Sequence, residues 1–334
     1  MSDNKDYLTY NQQMKKLRNE KGISCEGSSD KTILVRMGYF NIVNGYKAPF
    51  TCGRDVDGNH MYLPNTSLKH LHALKSFDDD LRTLLLKYIT KVEEEVRTLT
   101  GYKFDQSNNS GRIPWYDANA YSSDCTLQNR MNAISSAYGE LSKSKLEYVK
   151  FYMDNHTMIP TWIMIKVVNF STFISVLQNS KKDVTHAICN LYGMKDENGF
   201  PNVKLLIASL HWMRKVRNAC AHNERIYNMS STNDSSGTGR VNELYFKQLS
   251  RSYSRTSAKT IMDLLVYFKY YLPSDEYKAL IQDIIDKLNV LKEIVQPNAF
   301  ENIRGKMGIK NVSDLEILMN IEKDKIKYNT FDTL

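Results

Sequence analysis

An arginine and a histidine five positions apart form the most chemically distinctive part of this sequence. They belong to the run Arg217-Asn218-Ala219-Cys220-Ala221-His222-Asn223. Cleavage of RNA through its 2′-hydroxyl needs a base for that hydroxyl, an acid for the leaving 5′-oxygen and positive charge near the phosphorane. Histidine transfers protons near neutral pH, and arginine carries a permanent forked charge. The pair is therefore a candidate for phosphodiester cleavage without a metal or cofactor. The same spacing also fits a surface arginine and a histidine that favours the negative end of a helix dipole.

The motif follows a segment whose apolar residues recur with helical spacing from Pro201 onwards. The predicted buried stripe consists of Val203, Leu206, Leu210, Met213 and Val216. On a regular helix Asn218 and His222 share a face, whereas Arg217 is rotated by about 140° from His222. Catalysis therefore requires that the last turn relax or that a second chain complete the pocket, and a homodimer would also supply a second histidine. Asn218 either supports His222 or satisfies a carbonyl at the helix end.

Residues beside and beyond the motif are candidates for RNA contact. Asn223 lies within the run, and Arg225 and Tyr227 could hold a phosphate or a base, although Tyr227 could instead fasten the helix end. A further set of cations recurs every fourth residue: Lys247, Arg251, Arg255 and Lys259. On a helix they would form a basic stripe, which fits either phosphate contact or an ordinary solvated face.

Composition favours a globular protein with a polyanionic partner. The chain has 334 residues, 42% of them hydrophobic, and a net charge of +8. This balance favours nucleic acid over an anionic membrane surface. The five cysteines form no C-x-x-C pair, so neither a zinc site nor a disulfide framework is indicated. The absence of a secretory apolar core and of a run approaching ~18 apolar residues favours a cytoplasmic protein without a membrane partner.

The longest predicted helix runs from Ser67 to Leu99, with Gly101 as its stop. Apolar residues recur there at three- and four-residue steps. Two acidic runs, 78–80 and 93–95, lie mostly off the apolar face, so we expect solvent exposure and local ion pairs with arginines. Consecutive carboxylates on a helix diverge and would form a poor metal site.

The remaining pattern contains no run of alternating strands and predicts a mainly α-helical protein. Further helices are expected over 8–20, 127–141, 145–155, 162–178, 182–191 and 302–320, with two short pieces in 33–50 and two or three helices in 241–288. Segments 26–30 and 52–59 are expected to be a linker and a loop. We expect an N-terminal helical region over 1–60, a main helical domain over 61–295 and a helical C-terminal tail over 296–334.

Several segments together resemble the Abi family, the AbiD/AbiF-like abortive-infection proteins of the HEPN superfamily. Residues 216–228, VRNACAHNERIYN, resemble the family's R-N-x-x-A-H-N-x-R-x-Y-N signature. The other matching segments are TYNQQ with KGI near the N-terminus, GYFNIVNGY at 38–46, FDDDLR at 77–82, and IPTW followed by NFS in 159–171. Lys21, Gly38 and Ser171 replace the usual Arg, Asn and Gly, and none of them touches the arginine–histidine pair.

The resemblance implies an all-α HEPN-type bundle that acts as a metal-independent endoribonuclease. It assigns catalysis to Arg217 and His222 and places Glu94 or Glu95 near a helix acid of the family. It further implies homodimerisation and a toxin-like role in phage defence, restrained or guided by a partner such as a small non-coding RNA. The alternative is an RNA-binding scaffold of a defence or toxin–antitoxin system, in which the motif holds phosphate without cutting it.

Overall fold

The computed structural model describes residues 7–196, 198–231 and 258–321. Helices dominate these residues, and the predicted all-α, multi-helix architecture is confirmed. The helices are α1 (Tyr10–Lys21), α2 (Gly27–Met37), α3 (Leu68–Ser107), α4 (Leu127–Leu141), α5 (Glu147–Asn155), α6 (Thr161–Val167), α7 (Phe170–Asn179), α8 (Lys182–Leu191), α9 (Val203–Ala221), α10 (Ile261–Tyr271), α11 (Ser274–Ile294), α12 (Pro297–Lys306) and α13 (Val312–Asn320). Short π and 3-10 turns occur at Phe40–Asn44, Ala48–Phe50 and Ala118–Ala120. None of the described helices is both long and apolar enough to cross a membrane.

Helix α3 is the axis of the bundle. Its 40 residues correspond to a rod of about 60 Å at 1.5 Å per residue. Ser67 begins it with a capping box, in which the Ser67 hydroxyl accepts from the His70 amide. The predicted apolar stripe is buried along its length, and helices α6, α8, α9 and α11 pack against it.

The predicted end of α3 near Gly101 is wrong, because the helix continues to Ser107. Gly101 is buried where α6 crosses α3. A Cβ atom at this position would lie 3.7 Å from Ile165 Cδ1 and 3.9 Å from the Trp162 Cα. The missing side chain therefore serves close packing between two helices, and the tertiary contact outweighs the low helix propensity of glycine.

Two N-terminal segments differ from the sequence-based expectation. The expected linker 26–30 contains the first turn of α2, where the Asp30 carboxylate accepts a hydrogen bond of 2.7 Å from the Glu26 amide. The expected loop 52–59 joins two short antiparallel strands, β1 (Thr51–Arg54) and β2 (His60–Tyr62). Local side-chain capping and a tight turn organise both segments.

The helix expected over 162–178 is two helices, α6 and α7. The chain leaves helical geometry at Val168, and the Asn169 side chain accepts a hydrogen bond of 3.0 Å from the Thr172 amide. Asparagine favours this capping position because its side chain satisfies an unpaired amide of the first turn. A continuous apolar pattern had concealed the break.

The C-terminal helices join the same hydrophobic core. Lys269 of α10 is buried and donates to the carbonyls of Leu318 at 2.8 Å and Met319 at 3.2 Å, at the C-terminal end of α13. A cation favours the negative end of a helix dipole. Burial lowers the pKa of Lys269 to about 8. The contact attaches the tail helix to the bundle.

A glycine substitution tests the packing of this tail. Gly308 has φ +80°, and a Cβ there would lie 2.2 Å from Thr260 Oγ1, which bonds to Asp263 in the capping box of α10. We expect Gly308→Ala to lower the free energy of unfolding by about 3 kcal/mol or more, from left-handed strain, overpacking and a disturbed cap. Chemical denaturation measures the change.

The matched control is Gly193→Ala. Gly193 has φ +64°, but nothing lies within 4 Å of its Cβ position. It carries only the backbone strain, about 1 kcal/mol. Equal losses in the two variants would show that the contact with Thr260 contributes nothing.

Candidate active site

Helix α9 holds the arginine–histidine motif on a rigid base. The Asn202 side chain caps its start by accepting from the Leu205 amide at 3.0 Å. Leu206, Leu210, Met213 and Val216 are fully buried, and Val203 is partly buried against the core. The predicted buried stripe is confirmed, and Ala221 and His222 at the end of α9 are exposed.

The end of α9 is a Schellman turn built on an asparagine. Asn223 has φ +57°, and its amide donates to the Cys220 carbonyl at 3.2 Å, while the Glu224 amide donates to the Ala219 carbonyl at 2.9 Å. His222 lies at the cap with φ −91° and ψ 9°, outside the regular helix, and is exposed. Asn223 is also exposed, so its side chain remains available to a ligand.

Within one chain, Arg217 and His222 do not contact each other through a hydrogen bond. Arg217 Nη1 donates to Asn218 Oδ1 at 3.3 Å, and Arg217 Nε lies 3.9 Å from Glu93 Oε2 on α3. The described residues provide no hydrogen bond for the His222 imidazole. Asn218 therefore orients the arginine rather than the histidine, and its own backbone carbonyl accepts from the His222 amide.

Glu93 connects the motif to a second arginine. Its Oε1 accepts from Arg97 at 2.7 Å and 3.1 Å, and its Oε2 faces Arg217. Arg97 also donates to the Ile165 carbonyl and lies 4.8 Å from the centre of the Phe173 ring. Burial lowers the pKa of the Arg97 guanidinium, and the Glu93 carboxylate opposes this shift. Arg217 therefore approaches α3 through a long ion pair with a carboxylate that Arg97 holds in place.

The acidic run 93–95 is thus divided among three environments. Glu95 accepts a hydrogen bond of 2.9 Å from the Tyr192 hydroxyl, and Glu94 is exposed. Glu93 is the acid beside the motif, next to Glu94, the nearer of the two positions that the resemblance named. Consecutive residues on a helix point in directions about 100° apart, so the sequence alone could not show which of the three carboxylates faces the motif.

A buried carboxylate, Asp78 of α3, fastens the segment that follows the motif. Its Oδ1 accepts from the Tyr227 amide at 2.7 Å and the Ile226 amide at 3.2 Å. Its Oδ2 accepts from the Tyr46 hydroxyl at 2.8 Å and Arg82 Nη1 at 3.2 Å. Asp78 is fully buried, so the expectation that acids 78–80 are solvent-exposed fails at this position. Burial raises the pKa of Asp78, and these hydrogen bonds and the charge of Arg82 oppose the rise.

Two arginines extend this attachment. Arg82 pairs with Asp79 as well as Asp78 and donates to the Glu224 carbonyl at 3.1 Å. Arg225 donates to the Gly45 carbonyl. The family-like segments at 38–46, 77–82 and 216–228 therefore meet at one place in the fold.

Tyr227 and Lys259 do not occupy the positions expected of RNA contacts. Tyr227 is fully buried, and its ring stacks on Tyr46 with centroids 6.1 Å apart. It fastens the helix end, which was the alternative interpretation. Lys259 is buried in an extended segment whose backbone pairs with Ser231, so it does not lie on an exposed helical face. Lys247, Arg251 and Arg255 lie outside the described residues.

Arg225 remains at the surface. Its Nε donates to Asn228 Oδ1 at 2.9 Å, and the residue as a whole is exposed. Cys220 is buried, and burial raises the pKa of its thiol to about 12, which fits a packing role. The described residues contain no group of three histidine, cysteine or acidic side chains arranged as a metal site.

The fold and the site define a helical protein that displays an arginine–histidine motif at the end of a central helix. The chain belongs to the Abi-like protein family, whose model matches residues 32–228. The matched region contains Tyr46, Asp78 and the whole motif, and it ends at Asn228. Neither the curated proteins nor the solved structures contain a match. Membership of this family suggests a role in abortive infection.

Replacement of Asp78 tests whether its carboxylate holds the motif segment. We expect Asp78→Ala to lower the free energy of unfolding by about 3–5 kcal/mol, since it leaves two buried amides and the Tyr46 hydroxyl without their acceptor and removes one partner of the buried Arg82. The control is Asp80→Ala on the same helix, where the exposed carboxylate pairs with Lys287 at 3.0 Å. That change should cost no more than about 1 kcal/mol. Similar denaturation curves for the two variants would contradict the assignment.

Proposed function

We propose that this protein is a metal-independent endoribonuclease of the HEPN type that acts in abortive-infection defence. Arg217 and His222 are its catalytic residues. The observation that carries the proposal is the placement of both side chains at the accessible end of a helix whose other face is buried. A rigid base with exposed proton-transfer and cationic groups suits cleavage of a large flexible substrate.

In the proposed reaction, the His222 imidazole removes the proton of an RNA 2′-hydroxyl. The 2′-oxygen attacks the adjacent phosphorus, and the Arg217 guanidinium stabilises the negative charge of the phosphorane. The bond to the 5′-oxygen then breaks, and this oxygen takes a proton from a second imidazolium. The products are a 2′,3′-cyclic phosphate and a 5′-hydroxyl.

The second imidazolium comes from His222 of another copy of the chain. Within one chain Arg217 turns towards Glu93, and no hydrogen bond joins it to His222. Because His222 is exposed at a helix end, a second copy can approach it without disturbing the core. The active form is therefore a homodimer.

The positive balance of the chain supports RNA as the partner. A net charge of +8 attracts a polyanion, and Asn223 and Arg225 are exposed beside His222. In the proposed role, unrestrained cleavage stops growth during phage infection, and a partner such as a small non-coding RNA restrains or guides the toxin. Lys247, Arg251 and Arg255, which lie outside the described residues, remain candidates for RNA contact from the sequence.

One observation favours a second candidate function. Arg217 is engaged by Glu93 instead of facing His222. This arrangement also fits an RNA-binding scaffold in which the motif holds a phosphate without cutting it.

Substitution of the two motif residues distinguishes these functions. We expect Arg217→Ala and His222→Ala to reduce RNA cleavage by at least about 100-fold, because each removes charge stabilisation or proton transfer. Affinity of the His222→Ala variant for RNA should be retained, and EDTA should leave wild-type cleavage unchanged. Denaturing gels of labelled RNA, with detection of the cyclic phosphate, measure cleavage with and without EDTA. A gel-shift titration measures the affinity for RNA.

The matched control is His156→Ala, which removes another exposed histidine, at the end of α5, that stacks on Tyr152. It should cut at the wild-type rate. A wild-type protein that binds RNA but leaves it intact would support the scaffold instead.

The homodimer has its own test. Light scattering across a dilution series should show a dimer that dissociates, and cleavage per chain should fall over the same concentration range because the site requires two chains. Full activity from a species with the mass of one chain would exclude the shared site.

A further inference from the structure

A cleft lies between α3 and α6, and Glu93 is one of the residues that line it. Its volume is ≈ 470 Å³, within the range of small-molecule sites, roughly 300–1,000 Å³. The wall formed by α3 contains Glu93, Glu94 and Arg97, and the wall formed by α6 contains Trp162 and Lys166. Glu93 also pairs with Arg217, so one side chain of the cleft is in contact with the motif.

Trp162 is the unusual residue of this cleft. Its side chain is 56% exposed, whereas Trp115 and Trp212 are 1% and 2% exposed. It lies in the first turn of α6, and the approach of α6 to Gly101 fixes its backbone. Its ring lies perpendicular to that of Tyr152, with centroids 5.7 Å apart. A positioned but accessible indole is costly to leave in water and suits the flat face of a ligand.

Charged groups surround this indole in a pattern that suits a nucleotide. Lys166 is four residues after Trp162, so both lie on one face of α6, and both are exposed. Glu94 is exposed on the opposite wall and forms no ion pair with any described residue. An aromatic face stacks a base, an ammonium binds a phosphate, and a carboxylate accepts from an exocyclic amino group.

We propose that this cleft is a nucleobase subsite for single-stranded RNA. The base stacks on Trp162, its amino group donates to Glu94, and the neighbouring phosphate pairs with Lys166. Adenine and cytosine fit this arrangement better than uracil, which has no exocyclic amino group. The inference rests on the proposed ribonuclease function, because it places the base next to the phosphate that Arg217 would hold.

A protein surface is the competing use of the exposed indole. Neighbouring helices also expose apolar side chains, among them Phe151, which is 56% exposed. The cleft shape and the adjacent acid and lysine favour a nucleotide over a flat apolar partner. The oligomeric state of Trp162 variants separates the two uses.

The test uses the full chain carrying His222→Ala, so that the RNA stays intact. Eight-nucleotide single-stranded oligoadenylate, oligocytidylate and oligouridylate are titrated in, and tryptophan emission and anisotropy of labelled RNA are recorded. Because Trp162 is the accessible tryptophan, oligoadenylate should quench its emission, and the Trp162→Phe change should remove that quenching. Trp162→Ala should weaken binding by about tenfold or more.

Four further results complete the expected pattern. Lys166→Gln should reduce the slope of log affinity against log salt concentration by about the contribution of one phosphate contact. Oligouridylate should bind more weakly than oligocytidylate, and Glu94→Gln should narrow that difference. Phe151→Ala, which removes an equally exposed aromatic ring outside the cleft lining, should bind RNA as the parent does.

Unchanged RNA affinity in both Trp162 variants would overturn the subsite. A change of mass in light scattering with RNA affinity retained would do the same and would identify a protein interface. Cleavage by the wild type is measured in parallel. If RNA binding depends on Trp162 but the wild type does not cleave RNA, the ribonuclease proposal is rejected and the subsite is retained. If the wild type cleaves RNA and binding does not depend on Trp162, the subsite is rejected and the ribonuclease proposal is retained.

Discussion

The buried carboxylate of Asp78 is the interaction on which the geometry of the site depends. It accepts hydrogen bonds from three separate parts of the chain: the Tyr46 hydroxyl, Arg82 of its own helix, and the amides of Ile226 and Tyr227. A buried acceptor must be fully satisfied, so these parts have little freedom relative to one another. The end of α9 is thereby fixed against α3, and this placement brings Arg217 within reach of Glu93.

Helical periodicity predicted the bounds of those helices whose ends depend only on residues nearby in the sequence. The bounds predicted for 127–141 and 182–191 agree with α4 and α8, and the apolar stripe of α9 is buried as expected. Periodicity failed where a contact with a distant segment determines the structure. Gly101 continues a helix because α6 packs on it, and Asp78 is buried because amides 148 and 149 positions later need an acceptor. Neither partner is visible in a local window of sequence.

In the site too, features that depend on nearby residues were predicted, and features that depend on distant segments were not. Residue types and spacing identified the accessible arginine and histidine, and Tyr227 had two interpretations that burial now separates. The cleft beside Glu93 was missed because its walls come from segments about 65 residues apart. The Pro-x-Trp segment was the available indication, since Pro160 begins α6 and Trp162 follows with its indole exposed. Spacing alone could not show which helix it would face.

Asp78 also determines how this surface can recognise an anion. Amides just beyond a helix often form a backbone cradle for phosphate. Here the amides of Ile226 and Tyr227 are directed inward to a carboxylate, and those of Asn223 and Glu224 close the Schellman turn. Of the five main-chain amides of residues 223–227, four thus already donate hydrogen bonds within the described structure, and that of Arg225 is the exception. Recognition of any anion at this surface would consequently depend on side chains rather than on main-chain amides.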